Sequence, residues 1–243
     1  MTTMTIAPQQ VQKLREMTGA GILDCKKALE HSGGDTDKAI QFLREKGKAS
    51  AASKSGRTAS EGVVCVWTSP DGKKGGMVEI NCETDFVART QEFQDFSKKL
   101  AQHAAENSVT SVEGLLSQKP AGSSETVESL LKEKIGKLKE NMVIRKVASL
   151  SDSGAIVGSY VHAPYEKSPE CGKLGVMLQV KAGQDNPELK DLIKEMCMQV
   201  AATSPRWIRK EDVPSAITEK EKAIYAEQCR QSGKPEQAWP KII

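Results

Sequence analysis

Aromatic residues are scarce in this chain of 243 residues, at 4% of the sequence. Hydrophobic residues reach 38%, so the core must be modest and mainly aliphatic. An excess of one charge is also missing. The 35 Lys and Arg nearly balance the 32 Asp and Glu, for a net charge of +3. That balance gives no basis for strong overall attraction to nucleic acid or to a membrane. No apolar run is long enough to span a bilayer. Met1 to Gln10 lack the basic start and apolar run of a secretory leader. A cytoplasmic protein is therefore expected, with neither a membrane nor a nucleic acid as direct partner. Self-association is left open.

Chemistry-bearing patterns are equally sparse. Cys25, Cys65, Cys82, Cys171, Cys197 and Cys229 form no C-x-x-C pair, and no histidine lies at ligand spacing from them. Zinc and a disulfide framework are both poorly supported, and reduced thiols are expected. There is no P-loop, no G-x-G-x-x-G and no G-x-S-x-G. Cys25 and Cys82 have no visible partner base, so each reads as a small packing residue rather than a nucleophile. His103 falls within a helical pattern and reads as a satisfied residue, and His31 as an exposed one. The expectation is a protein that grips another protein, with no enzyme activity, cofactor or metal of its own.

The first fifty residues predict three short helices. Val11, Leu14 and Met17 share one face; Leu23, Ala28 and Leu29 supply the second helix; Ala39, Ile40 and Leu43 supply the third. Gly19 and Gly21 bracket a tight turn, Asp35 is placed to cap the third helix, and Gly47 is read as its end. Lys46 to Ser60 contain almost no large apolar side chain and read as a mobile basic linker. Beyond it lies a duplication. Gly72, Lys73, Gly75 and Met77 recur as Gly172, Lys173, Gly175 and Met177, an offset of 100 residues. Each copy follows a β-rich run, Val63 to Thr68 or Ile156 to His162. Each precedes a helix: Phe93, Phe96, Leu100 and Ala104 line the first, Leu189, Leu192, Met196 and Val200 the second. The first copy continues into a further helix, about Glu125 to Glu140, and a run from Met142 to Leu150 that predicts a third strand. No third strand is predicted in the second copy, whose sheet would keep an open edge; a helix from about Thr218 to Arg230 follows instead.

The most informative stretch lies between the first hairpin and its helix: Glu83-Thr84-Asp85-Phe86-Val87-Ala88. A large ring at a polar turn has two readings. It folds back to staple the next helix, or it projects as a wedge toward another molecule. The pair Glu83 and Asp85 reads as solvated rather than metal-binding.

Two long blocks bear on the choice. Leu14-Arg15-Glu16-Met17-Thr18-Gly19-Ala20-Gly21-Ile22-Leu23-Asp24-Cys25-Lys26-Lys27-Ala28-Leu29 and Val78-Glu79-Ile80-Asn81-Cys82-Glu83-Thr84-Asp85-Phe86-Val87-Ala88-Arg89 resemble the two signatures of the translation elongation factor Ts family. Asn141 to Ala148, Gly158 to His162 and Gln231 to Pro235 follow in the family's order. The resemblance implies an α+β protein: a ubiquitin-associated-like three-helix module over 1–46, a linker over 47–60, core subdomains over 61–151 and 152–216, and part of a helical hairpin over 217–243. It implies a nucleotide exchange factor whose partner is the GTPase elongation factor Tu. Arg15, Ile22 and Leu23 would dock on that partner. Thr84, Asp85, Phe86 and Val87 would disturb its Mg²⁺ site, and His162 would press toward its phosphate-binding loop. Relative to the family the chain is short at its C-terminus, which implies an incomplete second subdomain, and Trp239-Pro240 interrupts a helical pattern. That shortness keeps a second reading in view, a binder that tethers the GTPase without opening its nucleotide site.

Overall fold

The computed structural model describes residues 6–183 and 186–243. Met1 to Thr5, half of the stretch read for a leader, lie outside the described residues. The chain divides into two compact units, residues 1–201 and 202–243.

The first unit opens with α1 (Pro8–Thr18), α2 (Ile22–His31) and α3 (Thr36–Lys54). Pro8 occupies the first turn of α1, where its missing N–H costs nothing. Gly19 takes a left-handed conformation, φ 65°, and ends α1 with its N–H on the Arg15 carbonyl. Asp35 caps α3 by accepting the Lys38 N–H at 3.0 Å. Val11, Leu14, Cys25, Ala28, Leu29 and Ala39 form the core of this module. Met17, read as part of that face, is instead 56% exposed.

Gly47 does not end α3, which continues through Lys54 and buries Ala51 in the main core. The stretch read as a linker is therefore largely helix. It packs on α7 (Val127–Leu138), whose Gly136 is so close that a Cβ there would lie 2.7 Å from the Gly47 Cα. Gly47 is a point of contact between helices rather than a stop signal, since the side chains at a crossing set how near two helix axes come.

The main sheet runs β3 (Met142–Ser151), β2 (Lys74–Cys82), β1 (Glu61–Thr68) and β5 (Cys171–Gly172), all antiparallel neighbours. β3 is the third strand expected from the Met142 run. The short α4 (Asp85–Ala88) follows β2, then α5 (Gln91–Glu106) covers the sheet with Phe93, Phe96, Leu100 and Ala104, all buried as its periodicity predicts. α6 (Val112–Ser117) leads toward α7. The second hairpin pairs β4 (Ala155–His162) with β6 (Leu174–Lys181), and these two strands form the whole second sheet among the described residues. α8 (Pro187–Thr203) covers it. Its inward stripe is Ile193 and Cys197, both buried, flanked by the half-buried Leu189 and Val200; Leu192 and Met196, read as inward, are exposed.

The repeated glycines explain the duplication. A Cβ on Gly75 would meet Met177 Sδ at 3.2 Å, and one on Gly175 would meet Met77 Sδ at 3.1 Å. Closer still are Val157 at Gly75, 2.6 Å, and Val64 at Gly175, 2.8 Å, so each hairpin lacks a side chain where the other's valine and methionine pack.

In the second unit, α9 (Ser215–Gln231) ends at Gly233, φ 64°, and α10 (Trp239–Ile242) follows. The Trp239 indole donates to the Lys234 carbonyl at 2.9 Å, and the Arg230 guanidinium lies 5.8 Å from its ring centre. Trp239-Pro240 does not break a helix here. It starts one, with proline in the first turn.

The expectation of reduced thiols is also corrected. Cys65 and Cys171 are disulfide-bonded, because the pairing of β5 with β1 sets these two residues directly opposite each other. Their separation of 106 residues hides that register from the sequence. The bond ties the second hairpin to the first sheet. Under non-reducing conditions, peptide mapping should recover Cys65 and Cys171 in one linked fragment. Reductant should split that fragment and lower unfolding stability by a few kcal/mol, since closing a 100-residue loop is worth about 4.7 kcal/mol in the chain-entropy account. Two separate alkylated peptides from unreduced protein would contradict the pairing.

Candidate partner-docking site

β2 delivers the chain to Cys82, and the next residues form a braced projection. Thr84 is extended, φ −125° and ψ 155°, and its hydroxyl oxygen accepts the Val87 N–H as the cap of α4. The same hydroxyl donates to Glu140 Oε1 at 2.6 Å, while the Thr84 N–H donates to Glu140 Oε2 at 3.0 Å. One carboxylate thus takes two charge-assisted hydrogen bonds from a single residue. Beside it, Glu83 Oε1 accepts the Asn141 N–H at 2.6 Å and lies 3.5 Å from the Arg57 guanidinium. Ala88 is fully buried and Val87 packs on the core, so the base of the turn is anchored.

At the tip stands Phe86, 79% exposed. It does not fold back on α5, so the stapling alternative is excluded by its position. Asp85, half-exposed, pairs with Arg89 Nε at 3.3 Å. An exposed aromatic ring on a fixed turn is costly to hydrate and suits burial against a partner.

A second apolar projection lies on the three-helix module. Ile22 and Leu23, in the first turn of α2, are 55% and 73% exposed, and Met17 and Arg15 are exposed on α1. The neighbouring Asp24 turns the other way chemically: Oδ1 takes Lys46 Nζ at 2.7 Å and Oδ2 takes Lys139 Nζ at 3.1 Å. The hydrogen bond from Lys46 holds the Asp24 carboxyl below the usual aspartate range, against a partial burial that raises it and with further help from Lys139. His162 is exposed at the end of β4, with Nδ1 3.0 Å from the Tyr160 hydroxyl. His103, by contrast, is buried and bonded to Gln118 and Asn107.

Neither Cys25 nor Cys82 is poised for nucleophilic chemistry. Both are buried. Burial raises the Cys25 thiol, and burial together with the nearby Glu140 charge pushes Cys82 up to about 12. Among the described residues no group of His, Cys, Asp or Glu side chains is gathered for a metal, and no helix is long and apolar enough to cross a membrane.

The sequence that builds this site matches a known family. The family model for Elongation factor TS matches residues 83–243. The chain is 44% identical over 238 residues to elongation factor Ts of Clostridium perfringens, covering 98% of this chain and 76% of that relative. It is 45% identical over 239 residues to elongation factor Ts of Clostridium kluyveri, with the same coverage. It is 42% identical over 245 residues to elongation factor Ts of Trichlorobacter lovleyi, covering 99% of this chain and 76% of that one. The chain belongs to the elongation factor Ts family. It is a translation elongation factor, and its α+β architecture of two small antiparallel sheets with helices is that expected from the resemblance.

In this chain the sequence pattern points to the projecting residues and not to those that brace them. Lys139, Glu140, Arg57 and Asp24 carried no signal as single charges. The hint was local: Lys139-Glu140-Asn141 sits immediately before a β-run, where a carboxylate can reach the end of the neighbouring strand.

The Asp24 pairs give a pH signature. A carboxyl with a depressed folded value contributes stability above its unfolded value, about 3.9, and loses that contribution as pH falls through the folded value. The stability difference between the parent and Asp24→Asn should therefore be constant from neutral pH down to about 5 and shrink below about 4. Denaturant unfolding across that range measures it, and a difference that is flat to pH 2 would show the pairs to be energetically silent.

Proposed function

We propose that this chain is a guanine nucleotide exchange factor that binds elongation factor Tu in its GDP form and promotes GDP release. The observation that carries the reading is Phe86, 79% exposed on a turn whose backbone and cap are fixed by Glu140. A mobile exposed ring would collapse onto its own surface. A braced one can be driven between elements of a partner with little loss of its own conformational entropy.

In this reading Arg15, Ile22 and Leu23 grip the GTPase domain and contribute affinity. Phe86 enters as a wedge near the nucleotide site. Asp85, with the Thr84–Val87 turn, disturbs the groups that hold Mg²⁺. That ion neutralises the nucleotide phosphates, so its displacement weakens GDP binding. His162 presses from the second hairpin toward the phosphate-binding loop. No covalent bond is made or broken. The factor binds the nucleotide-free partner better than the GDP-bound one, so by reciprocity the complex binds GDP more weakly, and disturbing the groups around Mg²⁺ puts that loss on the dissociation step. The prevailing nucleotide concentrations then set which nucleotide rebinds.

Release of a fluorescent GDP analogue from elongation factor Tu tests the reading. The parent chain should accelerate release. Phe86→Ala should slow the stimulated rate at least about tenfold, as expected for loss of an interface residue worth ~2 kcal/mol. Binding without acceleration would instead favour a tethering protein, and an unchanged Phe86→Ala rate would rule out the wedge.

A further inference from the structure

Three consecutive residues between α7 and β3 connect the two projections. Lys139 Nζ bonds Asp24, the residue after the exposed Leu23, at 3.1 Å. Glu140 holds Thr84, two residues before the exposed Phe86, through two hydrogen bonds of 3.0 and 2.6 Å. Asn141 donates its N–H to Glu83 at 2.6 Å and its Nδ2–H to the Arg57 carbonyl at 2.7 Å, tying down the segment between α3 and β1. Segments far apart in sequence thus meet one short turn.

The turn is itself costly. Lys139 has φ 64° and ψ 15°, the left-handed conformation, in a residue that carries a Cβ. Non-glycine residues adopt it at a penalty and persist where the surroundings over-determine them. Glycine would satisfy the backbone at this helix end without strain. It would lose the ammonium that reaches Asp24. α7 is held in turn by Lys134 and Lys137, both 2.7 Å from Glu92 on α5, and by the close Gly47–Gly136 crossing. The turn therefore stands on a rigid base.

We propose that Lys139-Glu140-Asn141 is a yoke that fixes the α2 edge and the Phe86 turn at a set separation, so that the partner must meet both at once. These are positioning residues. They act through Asp24 and Thr84. Two ligand points on one rigid body behave as a bivalent binder whose second contact forms at high effective concentration. Wedge insertion then draws on binding energy from the distant module, as remote contacts drive change at a reacting centre. The inference rests on the exchange reading for what the two projections do; the yoke itself is tested apart from activity.

Amide hydrogen exchange and GDP release, measured on the full chain, make the test. Glu140→Ala should speed exchange of the Thr84 and Val87 amides at least about tenfold, the effect of removing charge-assisted hydrogen bonds. Glu140→Gln, which can still accept the Thr84 N–H, should restore most of the protection. In GDP release, Glu140→Ala should lower the saturating stimulated rate while leaving the half-maximal concentration nearly unchanged. Lys139→Gly should do the reverse. It relieves the backbone, so the fold and melting temperature are retained, yet it should raise the half-maximal concentration several-fold. Unchanged amide protection in Glu140→Ala would overturn the yoke whatever the release assay shows. So would equal effects of both variants on both kinetic quantities. A parent that fails to stimulate release, with protection lost in Glu140→Ala as expected, would overturn the exchange reading and leave the yoke standing.

Discussion

The contact on which the rest of this molecule depends is the crossing of α3 over α7 at Gly47 and Gly136. Two glycines there let backbone meet backbone, with the missing Cβ of Gly136 only 2.7 Å from the Gly47 Cα. Any larger residue at position 136 would push the helices apart. At the observed spacing α3 runs on into the core and buries Ala51, and Lys46, one residue before the crossing, reaches Asp24. Lys139, at the end of α7, reaches the same carboxylate from the other helix. The ion pairs alone would be weak, because surface pairs are screened and cost side-chain entropy. Helix packing places their partners beforehand, so that entropy cost is already met.

That packing changes what the exposed side chains can do. A three-helix module on a loose tether would search a large volume relative to Phe86. Held against α7, its Ile22 and Leu23 edge keeps one relation to the turn that Glu140 braces. Exposure of Phe86, Leu23 and Ile22 is unfavourable in the free chain. Phe86 stays exposed on a turn held by the Glu140 bonds, and Leu23 stays exposed next to the residue held by the Lys46 and Lys139 pairs.

Much of this was legible in the sequence where the information was local. The α5 stripe of Phe93, Phe96, Leu100 and Ala104 follows a simple helical period and is buried as read. Asp35 caps α3 and the Met142 run pairs with β2, both as expected. The α8 face was misread because Leu192 and Met196 outrank Cys197 in hydrophobicity, whereas the sheet beneath selects Ile193 and Cys197 by position. Gly47 was misread because a glycine in a polar stretch looks like a stop, and only a partner helix reveals it as a contact. The Cys65–Cys171 pairing depends on strand register across 106 residues, which no local pattern encodes. Phe86 was found as an anomaly, but its two readings could be separated only by seeing what lay around it.

The duplication itself bears on why the Phe86 projection belongs to one copy. Both hairpins carry the Gly-x-Met unit, and in each the glycine makes room for a valine and the methionine of the other. That requirement is symmetric, so it is met twice. The brace is not symmetric. Glu140 and Asn141 come from the junction of α7 and β3, and among the described residues the second hairpin has no such helix and third strand beside it. Among the described residues, nothing equivalent to the α7–β3 junction stands beside β6 to supply a counterpart of Glu140. After β2 that carboxylate is present, and there the sequence places Thr84-Asp85-Phe86. The scaffold could be repeated because packing required only complementary surfaces. The projection occurs beside the one sheet edge that brings it a buttress.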